Sequence, residues 1–212
     1  RAWALRMTGR AQVQLNDLPA AINAYREAVS LPHADPGRTR LELAGALRQS
    51  GKVEDAMDEY QGLMNSELSA VAAEALAQLA DMHIASAQTS QQSSDFAGQK
   101  QQLEEARKLL KRLVLLYAFP ELSPTPERSY LKLAEVEVML ENTPGALKEL
   151  SELSKRFPDS PYAQYAKAQG YIYQNQQLGD ALFILRKLQD QRLDATLARL
   201  VETRIKALEA QS

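Results

Sequence analysis

One short block of residue types recurs along this chain, and it limits the folds open to it more than any other feature. Ala21-Ile22 is followed by Tyr25 and Ala28, and Ala56-Met57 by Tyr60 and Leu63. The block returns as Ala106-Arg107 with Leu110 and Leu113, as Ala146-Leu147 with Leu150 and Leu153, and as Ala181-Leu182 with Leu185 and Leu188. Successive leading alanines are 35, 50, 40 and 35 residues apart. Two of these steps match a helical-hairpin repeat of about 34 residues, and the other two read as that period plus insertions. The spacing has a physical cause. A small residue early in a helix lets a neighbouring helix approach closely, and a large residue four positions on fills the groove one turn later. A further small or apolar residue three positions on extends the same face.

Each block follows a turn and an earlier apolar stretch. Leu5-Thr8-Gly9 precedes the turn Asn16-Asp17, and Leu43-Ala44-Leu47 precedes Ser50-Gly51-Lys52. Leu76-Leu79-Ala80 opens the third unit. Tyr130-Leu133-Ala134 precedes Glu141-Asn142, and Tyr165-Ala168-Ile172 precedes Leu178-Gly179-Asp180. Gly, Asn and Asp at these points suit the end of one helix and the cap of the next. Ala, Leu, Gln, Glu, Arg and Lys dominate, Gly is scarce and Val and Ile form no long run, so helices are favoured over sheet.

The residues Leu5, Gly9, Ala21, Tyr25 and Ala28, then Leu43, Ala44, Leu47, Ala56 and Tyr60, then Tyr130, Leu133, Ala134, Ala146 and Pro158, resemble the signature of the tetratricopeptide repeat family. The fourth unit departs from that signature at Glu137, where the family carries a large apolar residue. The third and fifth units have Leu110 and Leu185 in place of the aromatic. The resemblance covers most of the chain. It implies an all-α, right-handed α-solenoid of about five helix–turn–helix units in one domain, residues 1–212. The units are about 2–35, 37–66, 67–118, 126–158 and 160–191. The expected helix pairs are 2–15 with 18–31, 37–50 with 53–64, 67–87 with 100–117, 126–140 with 144–156, and 160–175 with 178–190. A last helix, 193–210, has Leu193, Leu197, Leu200, Val201, Ile205 and Leu208 on one face and charge on the other, as a terminal cap requires. The chain opens on Arg1 without Met and is expected to be a processed or truncated piece, with Trp3 and Leu5 covered by a segment outside it.

Three stretches leave the period. Residues 88–102 are polar and cannot pack a core alone. They read either as a loop or frayed helix extensions, or as a partner contact through the isolated Phe96. Residues 117–127 hold three prolines and form a stiff connector, with Phe119 and Leu122 expected to tuck back onto the solenoid. Arg156–Ala163 resembles the linker common in bacterial cell-envelope tetratricopeptide proteins. This points to the periplasm or cell envelope, with the cytoplasm as the alternative.

Chemistry-bearing constellations are missing from the sequence. There are no cysteines and two histidines, His33 and His83, in different elements. No metal site or cofactor is expected, and His83 reads as a packing residue between helices. Glu54-Asp55, Asp58-Glu59 and Glu104-Glu105 read as first-turn acids favoured by the helix dipole. No phosphate loop, Gly-x-Ser-x-Gly motif or Ser/His/Asp set occurs, so no enzyme activity is expected. The net charge of −2 gives no electrostatic drive toward nucleic acid, and no apolar run is long enough to span a membrane.

What remains is protein binding. The resemblance implies a concave face lined by exposed positions of the first helices. These are Trp3, Arg6, Arg10 and Gln14 in unit one, and Arg38, Leu41, Arg48 and Gln49 in unit two. Unit three gives Glu74, Asp81 and Ile84, unit four Arg128, Leu131, Glu135 and Val138, and unit five Tyr173 and Gln174. Arginines in the first two units suit carboxylates on a bound peptide. The alternative is ordinary solvated charge. The family's clamp for chaperone tails is not expected, because Arg10 stands where that clamp needs Asn. Two other roles stay open at this point: an accessory or regulatory domain of a larger enzyme or regulator, and a solenoid that self-assembles through its first repeat.

Overall fold

The computed structural model describes residues 1–32 and 35–210, so His33 lies outside the described residues. Among these there are eleven α-helices and no strand. In chain order they are α1 Ala2–Gln14, α2 Leu18–Ser30, α3 Pro36–Gln49, α4 Val53–Leu63, α5 Ser69–Gln92 and α6 Phe96–Leu116. They continue as α7 Thr125–Met139, α8 Thr143–Arg156, α9 Pro161–Tyr173, α10 Leu178–Gln189 and α11 Ala195–Glu209. A 3-10 turn, Pro120–Leu122, lies between α6 and α7.

Each helix packs on the next, and α1, α3, α5, α7 and α9 also touch in order, so the first helices form one continuous inner layer. This is the expected solenoid. The recurrent blocks do the packing. Ala21, Ala56, Ala106, Ala146 and Ala181 are all buried, as are Tyr25, Tyr60, Leu110, Leu150 and Leu185 one turn later. Gly9 shows why a small residue is needed opposite the large one. A Cβ there would lie 2.6 Å from the Tyr25 ring. The hairpin turns also repeat in phase. Asn16, Gly51, Ser94, Glu141 and Asn175 each take a positive φ one residue past the C-cap of the first helix. Only one of the five is glycine, so this left-handed step is a property of the repeat and not of glycine alone. Asp17, Asp95 and Asn142 then cap α2, α6 and α8 by accepting a backbone N–H three residues on.

The buried residues form two clusters, and α5 belongs to both. Val71, Ala75, Leu79 and Met82 face the core of the first two units. Ala73, Leu76, Ala77, Ala80 and Ala87 face the core that runs on to Leu208 in α11. Leu197, Val201, Ile205 and Leu208 close that second core, as expected of a cap.

The structure corrects three local expectations and explains the misfit at Glu137. Residues 88–102 extend the two helices rather than form a loop, so the expected bounds 67–87 and 100–117 move: α5 runs to Gln92 and α6 starts at Phe96, leaving only Ser93–Asp95 as a turn. Gln-rich sequence has good helix propensity, Asp95 caps α6, and the two helices extend each other as an antiparallel pair. As a result Glu104-Glu105 lie inside α6 and not in its first turn. They form ion pairs three residues on, with Arg107 and Lys108. In the connector, Leu122 packs against the core, but Phe119 stays half exposed. The turn Pro120–Leu122 carries Leu122 inward and leaves Phe119 outside. Glu137, the misfit in the fourth unit, is buried, with 1% of its side chain exposed, and is fully partnered. Lys111 Nζ lies 2.7 Å from Oε1, Asn142 donates to Oε2 at 2.7 Å, and Arg107 lies at 3.7 Å.

Candidate functional site

The inner layer presents side chains from every first helix, and five of the expected groove residues, Arg6, Arg10, Arg38, Leu41 and Glu74, meet in one cavity. Its volume is about 510 Å³. Arg6 and Arg10 come from α1, Arg38, Leu41 and Glu42 from α3, and Ala70, Val71, Ala73 and Glu74 from α5. Spacing by turns on each helix brings Arg6 and Arg10, Arg38 and Leu41, and Ala70 and Glu74 onto a shared face. The fourth side was not expected. Glu121, Leu122, Ser123 and Thr125 of the connector line it, so the proline-rich link closes this end of the groove.

The charges in the cavity do different jobs. Arg6 is committed within the chain. Its Nε donates to Glu42 Oε2 at 3.0 Å and its Nη2 to Oε1 at 2.7 Å, a two-pronged fork from α1 to α3. The hydrogen bond with Glu42 raises the Arg6 pKa against the opposing effect of burial. Arg38 is exposed and pairs with Asp35 at 3.4 Å. Arg10 is exposed and has no ion-pair partner among the described residues. Burial pushes the Tyr25 hydroxyl beside them up to about 12, with Glu42 adding to the rise and Arg10 and Arg6 opposing it. On the opposite wall, Glu74 accepts from Gln78 at 2.7 Å, and neither Glu74 nor Glu121 pairs with a cation among the described residues. Behind Ser123, the Glu127 side chain is 2% exposed. It accepts the Ser123 hydroxyl on Oε1 at 2.7 Å, and its Oε2 has no hydrogen-bond partner among the described residues.

The other expected residues lie apart from this cavity. Arg48 and Gln49 line a second one of about 500 Å³ with Val53, Asp81 and Met82. Trp3 is 71% exposed and Gln14 is exposed. Asp81 is tied to Lys132 of α7. Arg128 is also committed, its Nε donating to the Tyr162 hydroxyl at 2.7 Å and its Nη2 to Asp194 at 2.8 Å. Leu131 is buried and Val138 packs against the core. Glu135 keeps an exposed surface, but desolvation by the surrounding protein raises its carboxyl above the ordinary range, with Arg204 and Lys132 opposing the shift and Asp81 adding to it. Tyr173 is raised in the same way, by burial first and then by Glu135. Arg204 of the cap thus faces the inner layer, a contribution that the face assignment of α11 did not reveal. Phe96 is exposed at the tip of the long hairpin, beside a shallow cavity of about 240 Å³ shared with Lys100 and Met139. His83 bridges the same hairpin, its Nδ1 lying 2.7 Å from Gln102 Oε1. Among the described residues there is no group of three His, Cys, Asp or Glu able to hold a metal, and no helix is long and apolar enough to cross a membrane.

Comparison with known proteins agrees with this architecture. Residues 6–64 and residues 128–160 each match a family model described as tetratricopeptide repeat. No curated protein matches the chain. Among solved structures, a thermophilic tetratricopeptide repeat protein of Thermus thermophilus is 19% identical. It covers 99% of this chain and 100% of its own, with a TM-score of 0.63. A putative kinesin light chain of Podosopora anserina with nearly identical repeats is 16% identical, covers 98% and 97%, and has a TM-score of 0.62. The pilF protein of Pseudomonas aeruginosa is 16% identical, covers 100% and 93%, and has a TM-score of 0.50. At such identities the likeness is one of fold.

Proposed function

The chain belongs to the tetratricopeptide repeat family, and on that premise we propose that it is a non-catalytic adaptor that holds a segment of a partner protein in its inner groove. One observation carries the reading. Residues from three successive first helices converge on a single cavity that contains an exposed arginine, Arg10, with no ion-pair partner among the described residues. A solenoid uses its concave surface in this way because each repeat adds a strip of side chains to one continuous face. The test is site-specific photocrosslinking in the native host from Arg38 and Leu41, with Asp58 on the second helix α4 as the control. A partner captured from the groove positions and lost on Arg10→Glu supports the reading. Capture from Asp58 alone refutes it. Arg6 is unsuitable as a probe, because its replacement breaks the fork to Glu42.

The likeness of Arg156–Ala163 to envelope proteins favours a bacterial envelope assembly or secretion system as the setting. Fractionation of the native host, with the protein released alongside periplasmic markers, checks this, and release with cytoplasmic markers refutes it. A second reading, self-association through the first repeat, draws on the exposure of Trp3. Light scattering of Trp3→Glu against the parent chain tests it, and an unchanged mass refutes it.

A further inference from the structure

The first cavity is electrically divided, and the division follows the order of the helices. Its exposed basic groups come from the first two inner helices, Arg10 from α1 and Arg38 from α3. Its acidic groups that pair with no cation among the described residues come from the elements that follow, Glu74 from α5 and Glu121 from the connector. The remaining charges cancel locally: Arg6 is spent on Glu42, and Asp35 lies 3.8 Å from Arg6 and 3.4 Å from Arg38. Leu41, Ala70, Val71, Ala73 and Leu122 supply its apolar lining.

We infer that the segment held here carries both charges, an acid set against Arg10 and a base set against Glu74 and Glu121, with a small apolar stretch between them. This rests on the groove reading above and deepens it. A purely acidic segment would place negative charge against Glu74 and Glu121, and like charges in a recessed site repel strongly. A purely basic one would meet Arg10 and Arg38. The cavity, about 510 Å³, has room for only a short stretch of chain. A compact space of this volume is roughly 8 Å across and extended backbone rises about 3.3 Å per residue, which sets the acid and base roughly two residues apart. The connector completes the acidic wall, so recognition of the base depends on a segment that belongs to no repeat.

The probes are fluorescein-labelled decapeptides measured by anisotropy at low salt, with four charge patterns on one alanine–serine backbone. One has an acid and a base separated by two residues, one has the same pair at its two ends, one has acids only and one has bases only. The close mixed pair is expected to bind tightest. Glu74→Gln with Glu121→Gln should weaken the mixed and basic peptides by up to about fivefold for each pair lost, and should tighten rather than weaken the acidic one. Arg10→Gln should do the converse. Acidic peptides binding as tightly as mixed ones, or mixed binding that ignores the Glu74→Gln, Glu121→Gln double variant, overturns the inference. If such binding is still lost on Leu41→Arg, the groove reading survives. Failure of all four peptides to bind overturns both. The substituted carboxylates are exposed or line open space, and a helical circular dichroism spectrum matching the parent verifies that each variant is folded.

Discussion

The buried Glu137 allows two substitutions at one site to be set against each other. Burial pushes its carboxyl up, but the hydrogen bonds from Lys111 and Asn142 and the charges of Lys111 and Arg107 outweigh this and hold it below the usual carboxylate range. Lys111→Met removes the 2.7 Å partner and leaves the carboxylate to Asn142 and the more distant Arg107. Breaking a fully buried pair costs about 3–5 kcal/mol. Lys111 is half exposed and Arg107 remains, so the expected cost is about 1–2 kcal/mol. For a chain of this size that lowers Tm by roughly 2–8 °C. Glu137→Leu removes the buried charge itself, and replacing a buried ionic group by an apolar one of similar volume is often neutral or stabilising. Asn142, half-buried, can turn its freed amide to water. Thermal melts at pH 7 should therefore show Lys111→Met well below the parent and Glu137→Leu within about 1 kcal/mol of it or above. The folded pKa of Glu137 lies below its unfolded value of about 4.3. Its ionised form thus stabilises the fold fully above that value, and this contribution fades as pH falls through the folded pKa. Below about pH 4 the parent should lose ground relative to Glu137→Leu. A neutral Lys111→Met, or a Glu137→Leu less stable than Lys111→Met, would refute the reasoning.

Tyr162→Phe removes the hydroxyl that accepts from Arg128 at 2.7 Å and donates to Asp194 at 2.9 Å. A loss of about 1–3 kcal/mol is expected, read as faster amide exchange across α11 than across α3. Gly9→Ala forces a methyl against the Tyr25 ring at 2.6 Å, and a penalty of about 1–3 kcal/mol should appear in urea unfolding. Asp95→Ala removes the cap on Gly98 N, with a cost of about 1 kcal/mol. The fraying should stay local, so amides near Phe96 exchange faster while those near Arg38 do not.

Much of the scaffold was legible because its rules are local. Ala21, Tyr25 and Ala28 lie on one helix, and their spacing alone places them against a neighbour. The cap could be read from Leu197, Val201, Ile205 and Leu208 for the same reason. The extent of the third hairpin was not legible, since residues 88–102 lack the apolar residues that mark a packed helix. Gln propensity and the Asp95 cap form it without them. Contacts made across repeats were hidden more deeply. Arg6 reads as an exposed groove residue on its own helix, and its fork partner Glu42 lies 36 residues away. Arg128 and Asp194, 66 residues apart, meet only because α7, α9 and α11 stack. The connector's place in the cavity wall has no sequence signature. Proline stiffness predicted a packed link but not the surface it would pack on.

Helix α5 gives its two faces to different cores, and this has a mechanical consequence. A stacked array of hairpins ordinarily yields one unit at a time, because each repeat leans only on its neighbours. Here the first core loses Val71 and Leu79, and the second loses Leu76 and Ala80, if the same helix is pulled away. Tension applied at α1 must therefore pass through one rod to reach α11. Under load the chain should yield at α5 or hold as a single piece.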